Sequence, residues 1–214
     1  MDATPLTRCV PQPVVVKIGG SLLRQAPPRP LLAHLAALAP VVLVPGGGAL
    51  ADAVRDAQPH LGLSDKAAHA MALLSMEQMA HALADLEPEF VPCRTLGQLT
   101  QPRSRAALWF PAQVTLATGD IAESWDVTSD SLALWLAKRL EAPRLVLLKA
   151  PGAPVPATPP ADTAAFSALA AAGLVDAAFP GLAQGFKGTI VFANADDSNK
   201  LNEALRLDAT EDRP

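Results

Sequence analysis

Two segments of the chain are built alike. "VVVKIGGS", residues 14–21, and "VVLVPGGG", residues 41–48, each run a strand rich in valine straight into glycines. Between them "PLLAHLAALAP" carries apolar residues at helical spacing before Pro40 ends it, which leaves room for a helix to cross from one strand to the next. The unit therefore reads as strand, helix, parallel strand, followed by a second helix in "ALADAVRDA". Runs that are apolar at consecutive positions must be covered on both faces. The expected fold is α/β, a three-layer αβα sandwich around an open, mostly parallel sheet. Half of the 214 residues are apolar and only 4% aromatic, so Ala, Leu and Val must fill the core. That length suits one domain of moderate size or two closely associated lobes.

Further along, "GLSDKAAHAMALLSMEQMAHALADL" has no Pro or Gly from 65 to 86. It reads as a long helix with Ser64 as N-cap and His69, Leu73, Met76, Ala80 and Leu83 on one stripe. "AALWF" and "VTLAT" are expected as strands, and "VTSDSLALWLAKRL" as a helix capped by Thr128 or Ser129 with Leu132, Ala133, Leu136, Ala137 and Leu140 on its apolar face. "RLVLLKA" and "GTIVFAN" close the order as strands. "APPRP" and "APGAPVPATPPA" read as loops and "DATEDRP" as a disordered tail.

The totals exclude some partners. The net charge of −4 comes with no Lys/Arg cluster, which argues against nucleic acid. No apolar stretch reaches membrane-spanning length, and no basic segment with an apolar core opens the chain. Cys9 and Cys93 lack metal-ligand spacing and suit free thiols in a reducing cytoplasm.

Lys17 interrupts an apolar strand just before Gly19 and Gly20. Backbone N–H groups of a glycine turn with an ammonium beside them suit a phosphate, although a strand end with a solvated lysine is the bland alternative. No Walker A loop is present, because the lysine precedes the glycines. "GGGALA", residues 46–51, has the spacing of a dinucleotide fingerprint, but the acidic residue expected about 20 positions on would fall inside the long helix.

Taken together, "KIGGS", "VPGGG" and "VTSDSLALWLAKRL" resemble the amino acid kinase family over roughly residues 14–150. The resemblance implies one kinase domain with ATP and Mg2+. Its acceptor half would lie at about 10–115 and its nucleotide half at about 116–207, and it would assemble as a homo-oligomer. It further implies that Lys17 faces the transferring phosphoryl group with Gly19, Gly20 and Ser21 beside it, while Gly46, Gly47 and Gly48 lie toward the acceptor. Asp130 would orient the catalytic lysines, of which Lys187 in "GFKGT" is the expected second. Thr128, Ser129, Lys149 and Gly152 would meet the nucleotide, and no metal site of the protein's own is expected. Phosphoryl transfer suits such a set, because it asks for positioning and positive charge rather than covalent chemistry. The chain departs from the family in "LLKAPGAPVPATPPAD", where a T-x-V-D-G-V-Y type segment is usual.

The acceptor is a small molecule, expected near Asp52 and Arg55, one turn apart, and near Asp65 and His69, spaced i, i+4. The competing readings are a surface Asp–Arg pair and a core histidine. This region looks most like the family branch that phosphorylates an aminomethylfuran-methyl phosphate to its diphosphate in methanofuran biosynthesis. The alternatives are a carboxylate kinase forming an acyl phosphate and a non-catalytic member that only binds nucleotide or anion.

Overall fold

The structure, a computed structural model, describes residues 12–23 and 29–205. Cys9, residues 26–28 of the "APPRP" segment and the "DATEDRP" tail lie outside them. Six strands, β1 (Val14–Ile18), β2 (Val41–Pro45), β3 (Val91–Cys93), β4 (Ala107–Trp109), β5 (Arg144–Lys149) and β6 (Thr189–Asn194), form one sheet in the order β3-β4-β2-β1-β5-β6. Every pairing is parallel. All five residues of β1 and of β2 are buried, as their continuous apolar runs require. The chain leaves β1 toward β2 and β4, then returns to β5 on the other side, so strand order reverses at β1. The crevice beyond the C-terminal ends of such strands is where open α/β sheets bind ligands.

Nine α-helices accompany the strands among the described residues, besides a 3-10 turn at Gly20–Leu23: α1 (Arg29–Ala36), α2 (Gly48–Leu61), α3 (Asp65–Leu86), α4 (Leu96–Leu99), α5 (Ala112–Ala117), α6 (Ser129–Arg139), α7 (Thr163–Ala171), α8 (Phe179–Ala183) and α9 (Ser198–Leu205). α6, with residues of α7 and α8 packed against it, fills the core on one face of the sheet, and α1 and α9 fill the other. The long α3 sends Leu73 and Met76 into the first core and Ala80 and Leu83 into the second. Its expected stripe is buried throughout, and Ser64 caps it by accepting from the Ala67 N–H.

Two expectations change, and two elements are added. "VTLAT" is helical in α5, not a strand: β4 already has β2 and β3 as neighbours, so no place beside it is open. Thr115 fits that helix by donating its hydroxyl to the Pro111 carbonyl at 2.6 Å. β3 and α4 lie in a stretch without a readable pattern, each being too short to show a period. α6 is buried from Asp130 to Ala137 on all sides, not along one face, because α8 and Phe166 of α7 cover what would be its outer side.

Candidate active site

Side chains alternate along a strand. Val15 of β1 and Leu145 and Leu147 of β5 belong to the core under α6, while Val14, Val16 and Ile18 of β1 and Val146 and Leu148 of β5 belong to the opposite one. That parity sends Lys17 and Lys149 to the α6 face, each at the C-terminal end of its strand. There the first turn of α6 presents Asp130. Lys17 Nζ lies 3.0 Å from Asp130 Oδ1, and Lys149 Nζ lies 3.0 Å from each Asp130 oxygen. The Lys17, Asp130 and Lys149 side chains are only 8, 9 and 11% exposed. Lys149 also donates to the Leu174 carbonyl at 2.5 Å.

Burial alone would raise the Asp130 pKa, but the charges and hydrogen bonds of Lys17 and Lys149 outweigh it and hold the carboxyl below its ordinary value. Lys149 is pulled down to about 8, first by burial and then by the Lys17 charge, with Asp130 opposing both. Two ammonium groups share one carboxylate, so the centre keeps an excess positive charge and favours an arriving anion.

Asp176 anchors the helix that carries this centre. Its carboxylate accepts from the Thr128 N–H at 2.9 Å and hydroxyl at 2.8 Å, from the Ser131 N–H at 3.0 Å and hydroxyl, and from the Phe179 N–H at 3.1 Å. Thr128 is thus the N-cap by position, but its own side chain makes no cap bond, and a carboxylate distant in sequence fills that role.

The two glycine turns touch backbone to backbone. A Cβ on Gly20 would stand 2.2 Å from Gly48 Cα, closer than any side chain permits, and Gly48 itself has φ +56°. The Gly19 and Gly46 N–H groups are committed to the Leu148 and Ile18 carbonyls at 3.3 and 2.8 Å, so they tie each turn to the end of the neighbouring strand. Gly20, Ser21, Gly47 and Gly48 line a cleft of about 270 Å³ at the start of α2.

Asp52, Arg55, His69, Thr128 and Ser129 line the same cleft, together with Leu73, Met76 and Trp125. His69 is buried and its pKa lowered by that burial, which the Glu123 charge only partly opposes. Asp65 faces a small neighbouring pocket with His69, and accepts from Gln58 Nε2 at 2.8 Å.

Two expected residues stand apart. Lys187 is exposed just before β6, beside Lys138, Glu141 and Pro143, at the N-terminal edge of the sheet. The six residues of β5 separate the two edges by roughly 20 Å, at ~3.3 Å per residue, so Lys187 does not reach Asp130. The second lysine on Asp130 is Lys149. Gly152, with φ +74°, lies at the correct edge but in a separate open depression with Asn194, Asp196 and Asp197. The loop around it is tied down by Asn194 Nδ2 donating to the Ala153 carbonyl and Lys200 Nζ donating to the Pro156 carbonyl. Sequence reasoning missed Asp176 and Trp125 altogether. Among the described residues no group of three or more His, Cys, Asp or Glu could hold a metal ion, and no helix is long and apolar enough to cross a membrane.

Comparison with known proteins bears on the family and the fold. The chain is 34% identical over 141 residues to the [5-(aminomethyl)furan-3-yl]methyl phosphate kinase of Methanocaldococcus jannaschii, a match spanning 62% of this chain and 63% of that relative. Its fold is shared with the uridylate kinase of Archaeoglobus fulgidus (TM-score 0.62, 17% identity, 86% of this chain and 92% of that one). The UMP kinase of Bacillus anthracis is similar too (TM-score 0.63, 12% identity, 91% of each chain). The model of the amino acid kinase family matches residues 12–150, and this chain belongs to that family.

Proposed function

We propose that the chain transfers the terminal phosphoryl group of ATP to a small acceptor that already carries a phosphate and an amine, an aminomethylfuran-methyl phosphate, giving its diphosphate and ADP. The observation that carries this reading is the buried Lys17–Asp130–Lys149 centre beside the cleft of Gly47, Gly48, Asp52 and Arg55. The activity named for the Methanocaldococcus jannaschii relative supports the acceptor.

In the transfer, an acceptor phosphate oxygen forms the new bond to the γ-phosphorus as the bond from that phosphorus to the β,γ-bridging oxygen breaks. ADP leaves with that oxygen and its electron pair. An anionic phosphate oxygen needs no base to activate it, whereas an alcohol acceptor would. Asp130 is unfit as a base, since both its oxygens meet ammonium groups and its pKa is held down. Lys17 and Lys149 neutralise charge on the transferring group. The start of α2 receives the acceptor phosphate, Arg55 reaches it from farther along the helix, and Asp52 takes the ammonium. Thr128 and Ser129, at the α6 side of that cleft, would meet the nucleotide where it adjoins the acceptor, and Gly152 would meet it from the depression beyond Lys149. Mg2+ carried in with ATP would supply further charge neutralisation for the transfer.

The test is ADP release with Mg2+-ATP and a panel of aminomethylfuran-methyl phosphate, UMP, isopentenyl phosphate, aspartate and glutamate, with product masses. A diphosphate from the furan phosphate alone is expected. A hydroxylamine-trappable acyl phosphate would replace the proposal with a carboxylate kinase, and ATP binding without turnover would replace it with a non-catalytic member.

A further inference from the structure

Trp125 forms a wall of the acceptor cleft that no motif announces. The Arg55 guanidinium carbon lies 4.5 Å from the centroid of its indole. The indole Nε1–H donates to Gln58 Oε1 at 2.5 Å, and Gln58 Nε2 donates in turn to Asp65 Oδ1 at 2.8 Å. Arg55 and Gln58 are spaced i, i+3 on α2 and so share a face. One ring is thereby used twice: its face carries the cation of α2, and its edge is pinned to the next turn of the same helix. Behind Gln58, Asp65 fixes the amide from the start of α3. Trp125 itself belongs to the segment leading into α6, where the neighbouring Asp126 carbonyl accepts from the Ala178 N–H at 2.9 Å.

We infer that Trp125, held by Gln58, is a positioning residue that fixes Arg55 as the phosphate-reading group of the cleft. The inference rests on the proposed reading that the acceptor is a phosphate monoester. An exposed arginine on a helix samples many rotamers, and binding must remove that freedom. Stacking removes it beforehand. A guanidinium whose carbon is held over a ring face can still turn N–H donors outward for the fork-like grip that phosphate accepts. A lysine at position 55 would have neither property.

The experiment is calorimetric titration of the full chain with inorganic phosphate, with aminomethylfuran-methyl phosphate and, separately, with ATP. The variants are Arg55→Ala, Trp125→Leu, Trp125→Phe, Gln58→Leu and the Arg55→Ala/Trp125→Leu double, each checked for an unchanged melting transition. Trp125→Leu should weaken phosphate and furan phosphate about tenfold while leaving ATP within about twofold, and Trp125→Phe, which keeps a ring but loses the donor, should weaken them about threefold. The double variant should bind no more weakly than Arg55→Ala alone, since Trp125 acts through Arg55. Additive losses, an unaffected Trp125→Leu, or no phosphate binding to the wild type would overturn the inference. If phosphate binding follows this pattern but the furan phosphate is not turned over, the acceptor assignment fails and the clamp stands. Turnover of the furan phosphate with an unchanged acceptor KM in Trp125→Leu means the reverse.

Discussion

At both ends of the central sheet lysines meet glycines and a carboxylate, yet only one end encloses them. At the C-terminal ends of β1 and β5, Lys17 and Lys149 are buried on Asp130 beneath α6. At the opposite end Lys138 and Lys187 stand with Glu141, Gly185 and Gly188 around an open groove, and Lys138 donates to the Gln184 carbonyl. Parallel strands account for the difference. The helices that follow β2 and precede β5 place their positive N-termini at the C-terminal edge, where loop amides also converge. The last turn of α6 lies at the other edge, its Leu136, Ala137 and Lys138 carbonyls accepting from the Leu140, Ala142 and Glu141 N–H groups, and a cation there offsets the negative end of the helix. The same residue type thus meets an anion's ligand set at one edge and a helix C-terminus at the other.

The sharpest test removes the carboxylate at each end. Asp130→Ala leaves two buried ammonium groups facing each other and should cost about 3–5 kcal/mol in urea unfolding, whereas Glu141→Gln should stay within about 0.5 kcal/mol. Comparable losses would erase the distinction. Next come the lysines: Lys17→Ala and Lys149→Ala should each lower kcat about 10²-fold or more, on the scale of a lost oxyanion donor, and Lys187→Ala should leave it within about twofold. Steady-state rates on purified, folded variants decide this, and a Lys187→Ala loss matching that of Lys149→Ala would return the second catalytic lysine to its expected place.

Titration tests the enclosed end. With its pKa near 8, Lys149 loses its charge as pH rises, so kcat should fall above about 8, and Lys149→Arg should move that limb upward because a guanidinium stays charged. The stability contribution of this group runs the other way. Its pKa is lower folded than the ordinary 10.5, so the unfolded chain binds the proton more tightly, and stability should rise from about pH 8 to 10.5 while activity falls. Parallel decline of both would mean unfolding instead. The smallest effects concern glycines. Added Cβ atoms would strike backbone at Gly20, 2.2 Å from Gly48 Cα, and at Gly188, 2.6 Å from the Ala142 carbonyl. Each Ala variant should lose about 1–3 kcal/mol, but only Gly20→Ala should also raise KM for the phosphorylated acceptor.

Much of this frame is legible locally. The valine-rich runs, the glycines behind them and the stripe of α3 recur over a few residues, and each agrees with the observed strands, turns and burial. Even the second lysine was within reach. Lys149 shares parity with Leu145 and Leu147, and Lys187 precedes its strand, which in an all-parallel sheet assigns it to the N-terminal edge. The order of lysines along the chain concealed this, because order says nothing about which end of a strand a residue occupies.

By itself the sequence determined the αβα architecture, the paired glycine turns and the place of Lys17, because backbone propensity and apolar period act between near neighbours. Only the tertiary structure decided that Asp176 caps α6, that Trp125 carries Arg55, and that Lys149 completes the charge around Asp130. These contacts join segments far apart in the chain, and they form only once the strand order brings β1, β2 and β5 to end beside one another.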